Sequence, residues 1–242
     1  LVFLHSAAED SVTDGNQAID SNVFYARMAQ RITHILNTPT TAGILYEVDL
    51  RLRPSGASGL LVSSIEAFND YQHEDAWTWE HQALVRARVV AGDEQLAARF
   101  AEVRRTVLAQ SRKQPELQQQ VCEMHAKMTE HLGSHKTDEF DVKHDSGGIV
   151  EIEFMVQYAV LQWSVTHPQL LEWTDNIRLL EVLVATGLLA EADGVKLADT
   201  YRAYRAEVHR LKLQAQPARV PADRFVAERE TVQRLWRAWL GS

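Results

Sequence analysis

Residues 44 to 53 read ILYEVDLRLR, and their two-residue alternation constrains the fold more than any other feature of the chain. Successive side chains of a strand point to opposite faces, so Ile44, Tyr46, Val48, Leu50 and Leu52 would line an apolar face and Glu47, Asp49, Arg51 and Arg53 a charged one. The alternation predicts a strand with one face on a core. Directly afterwards PSGASG, residues 54 to 59, breaks the pattern with two glycines and two serines, the composition of a tight turn.

The charged face has two readings. Half-exposed antiparallel strands commonly alternate in this way, with Glu and Arg paired across the surface. Alternatively, Asp49 supplies hard oxygen to a divalent cation, and Arg51 and Arg53 offer planar guanidiniums to phosphate oxygens. Ser55, Gly56 and Gly59 would then let the backbone approach a phosphate closely. A single carboxylate cannot hold two metal ions, so this second reading needs further carboxylates from elsewhere.

The flanking segments suggest a mixed α/β part. LVFLH at residues 1 to 5 reads as a short strand and, lacking an initiator Met, as the start of a fragment cut inside a domain. Residues 21 to 36 place Val23, Ala26, Met28, Ala29, Ile32 and Ile35 close to helical spacing, with Asp20 or Ser21 as N-cap. After the turn, Leu60 to Ser63 is a short apolar run, and Ser63 or Ser64 ahead of Glu66 starts another helix. From about residue 75 the pattern is almost wholly helical, with helices expected at Thr174 to Thr186, Glu191 to Leu213 and Pro221 to Leu240. The polar stretch SHKTDEFDVKHDSGG reads as a connection. The expected architecture is α+β: residues 1–111 a partial α/β domain, residues 112–242 an all-α helical bundle.

Charge and cysteine use narrow the function. A formal charge of -8 over 242 residues argues against nucleic acid as a partner, which calls for clustered Lys and Arg. No apolar run approaches the roughly 20 residues needed to span a bilayer, so no membrane partner is expected and a cytoplasmic location is the default. The single Cys122 excludes an internal disulfide and sits in an amphipathic helix as a small apolar residue. The ten histidines lack ligand spacing and receive no role. Glu151 and Glu153 stand two apart on an expected helix, so they do not share a face and fit capping and interdomain salt bridging better than chelation. Trp77 and Trp79 fit a core, while Glu80, Arg86 and Arg88 fit either structural ion pairs or an extension of the charged site.

Four stretches, ILYEVDLRLRPSGASG, DAWTWEHQALVRARVVAGD, FDVKHDSGGIVEIEFMVQYAVLQ and WTDNIRLLEVL, resemble the bacterial glutamine synthetase adenylyltransferases. They are collinear and spread over nearly the whole chain. The resemblance implies a partial nucleotidyltransferase-like (polymerase-β-like) fold in the first part. It further implies an enzyme that moves AMP from ATP to a tyrosine hydroxyl of glutamine synthetase, with Mg²⁺ as cofactor and the PII signalling protein as a second partner. It is closer to the C-terminal adenylylating half; the adenylyl-removing, phosphorolytic half and a non-catalytic module docking on glutamine synthetase or PII are the alternatives.

On that resemblance Asp49 matches the third metal-binding carboxylate, and Arg51, Arg53, Ser55, Gly56, Gly59, Arg86 and Arg88 would face the nucleotide. The family's D-x-D carboxylates and Gly-Ser turn precede the counterpart of LVFLH and lie outside this sequence. The polypeptide alone is therefore expected to have little or no transfer activity.

Overall fold

The computed structural model describes every residue except 45, 46, 135 and 242. The chain divides into two units, Leu1–Glu80 with Val89–Val107, and His81–Arg88 with Leu108–Ser242.

In the first unit β1 (Phe3–His5) pairs in parallel with β2 (Val62–Ser64), Phe3 opposite Val62 and His5 opposite Ser64. A parallel pair needs a long crossover, and α1 (Ser21–Asn37) lies within it. The Asp20 carboxylate caps α1 by accepting from the backbone N–H of Asn22 and Val23. The Ser64 hydroxyl likewise caps α2 (Ile65–Glu74) by accepting from Ala67 N at 3.1 Å. Phe68 of α2 meets Phe100 of α4 (Glu94–Leu108) with ring centroids 6.0 Å apart. Ala29, Val62, Ile65, Phe68 and Val107 are buried here, whereas Val23, Phe24, Met28, Ile32 and Ile35 of α1 face solvent.

The alternating segment is not a strand among the described residues. Residues 47 to 50 join no ladder and residues 51 to 55 turn; Leu45 and Tyr46 lie outside the described residues. The expected core face is not buried either, with Ile44 61% and Leu52 48% exposed. Alternation predicts a strand only where a neighbouring edge completes its ladder. Here Asp49 instead accepts the Arg51 backbone N–H at 2.8 Å, an Asx turn that bends the chain two residues on.

The second unit is built around α6 (Ile149–Trp163). Ile152, Met155, Val156, Tyr158, Ala159, Val160 and Leu161 are all nearly inaccessible, so the helix is apolar round its circumference and enclosed on every side. It packs against α5 (Gln114–Leu132), α7 (Asn176–Ala185), α8 (Glu191–Leu213) and α9 (Val226–Leu240). Just past α6, the Ser164 hydroxyl donates to the Leu108 carbonyl at 2.8 Å.

This unit is not purely helical, contrary to the sequence expectation. β3 (Glu139–Asp141) and β4 (Arg219–Pro221) form an antiparallel ribbon, with buried Phe140 opposite buried Val220. The last helix consequently starts at Val226 rather than Pro221, after Phe225 adopts a left-handed φ of 61°.

Candidate functional site

The loop from Asp49 to Gly59 is organised by its own side chains. Arg51 grips the Asp49 carboxylate through Nη2 at 2.7 Å and Nε at 3.1 Å to both oxygens. That contact, with the Arg51 backbone N–H, holds the Asp49 carboxyl down at about 2, so it is ionised at neutral pH. Both groups are open to solvent, the Arg51 side chain 82% and the Asp49 side chain 53% exposed.

Arg53 folds back over the loop. Its Nη1 donates to Leu50 O at 2.9 Å, Nη2 to Ala57 O at 3.0 Å and Nε to Gly59 O at 3.3 Å. Ser55 and Gly56 both take left-handed backbone, φ 59° and 57°, leading into a 3₁₀ turn over Gly56–Ser58. A Cβ on Gly59 would lie 1.9 Å from the Pro54 carbonyl oxygen, so this position admits only glycine without rearrangement.

Arg86 and Arg88 belong to the second unit, near the end of α3 (Thr78–Val85). Arg86 Nη1 meets Glu153 Oε1 at 2.5 Å, and the same oxygen accepts from the Tyr201 hydroxyl at 2.9 Å. Burial draws the Arg86 guanidinium pKa down most strongly, but the charge and hydrogen bond of Glu153 together with the Tyr201 and Asp175 charges outweigh it, and the net shift is upward. Arg88 joins no ion pair among the described residues. Glu80, 6% exposed, accepts from the Tyr71 hydroxyl at 2.9 Å and Trp77 N at 2.9 Å, whereas the Trp77 side chain is exposed.

Glu151 and Glu153 have separate partners, as their spacing requires. Glu151 is 2% exposed and accepts from Gly147 N at 3.0 Å. His125 lies within ion-pair distance, its Nε2 3.5 Å away and its ring 4.4 Å from that of Trp236. Burial pushes the Glu151 carboxyl up and the His125 imidazole down to about 4, so both are held toward their neutral forms. The sequence showed no ligand spacing around His125; its position in α5, facing α6, supplies the pairing.

No three His, Cys, Asp or Glu side chains converge on a metal-sized site among the described residues. Asp49 offers one hard oxygen donor, which fits a single ligand of a magnesium ion but not a complete set. No described helix is long and apolar enough to cross a membrane.

A family model described as Glutamate-ammonia ligase adenylyltransferase matches residues 1–103, and one described as GlnD PII-uridylyltransferase matches residues 116–235. The chain is 57% identical over 238 residues to a bifunctional glutamine synthetase adenylyltransferase/adenylyl-removing enzyme of Thioalkalivibrio sulfidiphilus. That alignment takes in 98% of this chain and 24% of the relative, so the chain spans a small part of the relative's length. The resemblance carried by the four sequence stretches holds across nearly the whole chain.

Proposed function

We propose that this chain is part of an ATP-dependent adenylyltransferase that transfers AMP to a tyrosine hydroxyl of glutamine synthetase. The observation that carries the proposal is the 57% identity, sustained over 98% of the chain, to an enzyme named as a bifunctional glutamine synthetase adenylyltransferase/adenylyl-removing enzyme. The relative is bifunctional, so removal of AMP by phosphorolysis is the second reading. Glutamine synthetase is the proposed partner and the cytoplasm the proposed location. The PII protein is proposed as a further partner because the family matched over residues 116–235 carries PII in its description.

The residues support defined roles. Asp49, ionised at neutral pH, would give one carboxylate to Mg²⁺, whose charge would offset that developing on the phosphates. The remaining ligands are not gathered among the described residues, so the chain by itself is expected to be inactive. Arg51 would release Asp49 and turn to the nucleotide, a movement its 82% exposure leaves unhindered. Arg53, laced to three carbonyls, would hold the Ser55–Gly59 turn in shape for a phosphate. Arg86 and Arg88 are proposed as further nucleotide contacts, with Glu153 orienting Arg86.

The test is a chimera in which this chain replaces the matching segment of the Thioalkalivibrio relative. Transfer of labelled AMP to glutamine synthetase should be ATP- and Mg²⁺-dependent and should fall by about 10²-fold or more in Asp49→Asn, with glutamine synthetase binding retained. Unchanged transfer in Asp49→Asn would remove Asp49 from the site. Transfer by this chain alone would overturn its expected inactivity.

A further inference from the structure

We propose that the second unit carries a binding site for a small molecule bearing a phosphate group, in a cavity of about 540 Å³ between the end of α8 and the β4 turn. Its charged lining comprises Arg210, Arg219 and Arg224 against Glu207 and Asp223, an excess of guanidinium in a chain whose formal charge is -8. The volume lies within the range of small-molecule sites, roughly 300–1,000 Å³.

The three arginines are not equivalent. Arg210 is committed to structure: Nε and Nη2 hold Glu207 at 3.2 and 2.5 Å, and Nη1 reaches Gln214 at 3.2 Å. Arg224 touches Glu207 only at 3.5 Å and otherwise lies over the Phe225 ring, 4.9 Å from its centroid. Arg219 meets Glu139 and Asp141 at 3.8 and 3.9 Å, beyond hydrogen-bond length, and neither carboxylate lines the cavity. The Arg219 and Arg224 guanidiniums therefore border the cavity without a hydrogen bond among the described residues, although each carries five N–H donors.

Two guanidiniums, one on β4 and one on the turn that follows it, offer more donors than the two oxygens of a carboxylate can take. A tetrahedral phosphate, with three or four oxygens and up to two charges, uses them better. Glu207 does not spoil such a site, because Arg210 already neutralises it from the floor of α8. Asp223, exposed and without an ion-pair partner among the described residues, is the one group that opposes the anion. The site is independent of the Asp49 loop and of the function proposed above.

The chain is titrated with inorganic phosphate, ATP without Mg²⁺, sulfate and acetate, following backbone amide NMR shifts of residues 207 to 225. Phosphate or ATP should saturate these shifts, with acetate at least about tenfold weaker. Arg219→Gln and Arg224→Gln should each weaken binding by about tenfold, with the helical circular dichroism unchanged. Asp223→Asn should tighten binding by a few-fold, an effect that a purely structural role for the cluster would not give. Arg51→Gln should leave these shifts untouched, which separates this cavity from any nucleotide bound at the Asp49 loop. Tighter phosphate than ATP binding would assign the free anion, and the reverse a nucleotide. Absence of saturation, equal response to acetate, or indifference to Arg219→Gln and Arg224→Gln would overturn the proposal.

Discussion

Helices α1 and α6 are of similar length, 17 and 15 residues, yet they have opposite relations to solvent. In α6 nearly every turn is enclosed by four other helices; in α1 Phe24, Met28, Ile32 and Ile35 run along an exposed stripe and Ala29 is the buried apolar residue. A local apolar pattern is enough to make both helices. What it cannot supply is a surface to cover them, and that depends on elements far away in sequence.

Truncation of core side chains should expose this contrast most strongly. Leu161→Ala, at a fully buried position of α6, is expected to cost about 2–5 kcal/mol in urea unfolding, while Ile35→Ala, 69% exposed in α1, should stay within about 0.5 kcal/mol. Comparable losses at the two sites would break the comparison. Native-state hydrogen exchange sharpens it, with α6 amides protected well beyond those of α1.

Acid should act next, and on the second unit. His125 is lowered to about 4 in the folded chain against an ordinary 6.5, so between those values the unfolded chain binds more protons and stability falls as the pH falls. The loss should reach at most about 3 kcal/mol by pH 4. Glu151 has the opposite sign: its raised pKa means that the folded chain holds the extra proton, and stability falls as pH rises through that window. Urea midpoints measured from pH 7 to pH 4 should therefore lose much of their slope in His125→Gln, and an unaltered slope would put the acid sensitivity elsewhere.

The smallest effects concern single polar contacts. Ser164→Ala removes a buried donor to Leu108 and should cost about 1 kcal/mol, whereas Arg51→Ala breaks a solvent-screened, exposed pair and should leave the unfolding midpoint essentially unmoved. If Arg51→Ala proved the more damaging by thermal unfolding, the loop would be a stability element rather than an adaptable one.

Legibility in the sequence followed the same division. The Asp20 and Ser64 caps, the bounds of α8 at Glu191 and Leu213, and the separate duties of Glu151 and Glu153 could all be read from neighbours within a turn or two. The alternating segment misled, because period two describes how side chains would face in a sheet without providing the adjoining strand. The ribbon of β3 and β4 escaped notice for the complementary reason: three residues each, some 80 positions apart, leave no periodic trace. Within the loop, Asp49 and Arg51 were placed on one charged face and do meet, while the folding of Arg53 onto the carbonyls of Leu50, Ala57 and Gly59 depends on the left-handed pair Ser55 and Gly56.

The enclosure of α6 also sets an order of events during synthesis. Its covering helices α7, α8 and α9 all follow it in the chain, and α9 ends at Leu240. A growing polypeptide must therefore carry an apolar rod out of the ribosome and wait for about 80 more residues, several seconds at about 5–20 residues per second, before the last side of that rod is shielded. Over that interval the nascent chain presents the surface that chaperones bind, so the same burial that stabilises the finished unit makes it dependent on protection while it is being made.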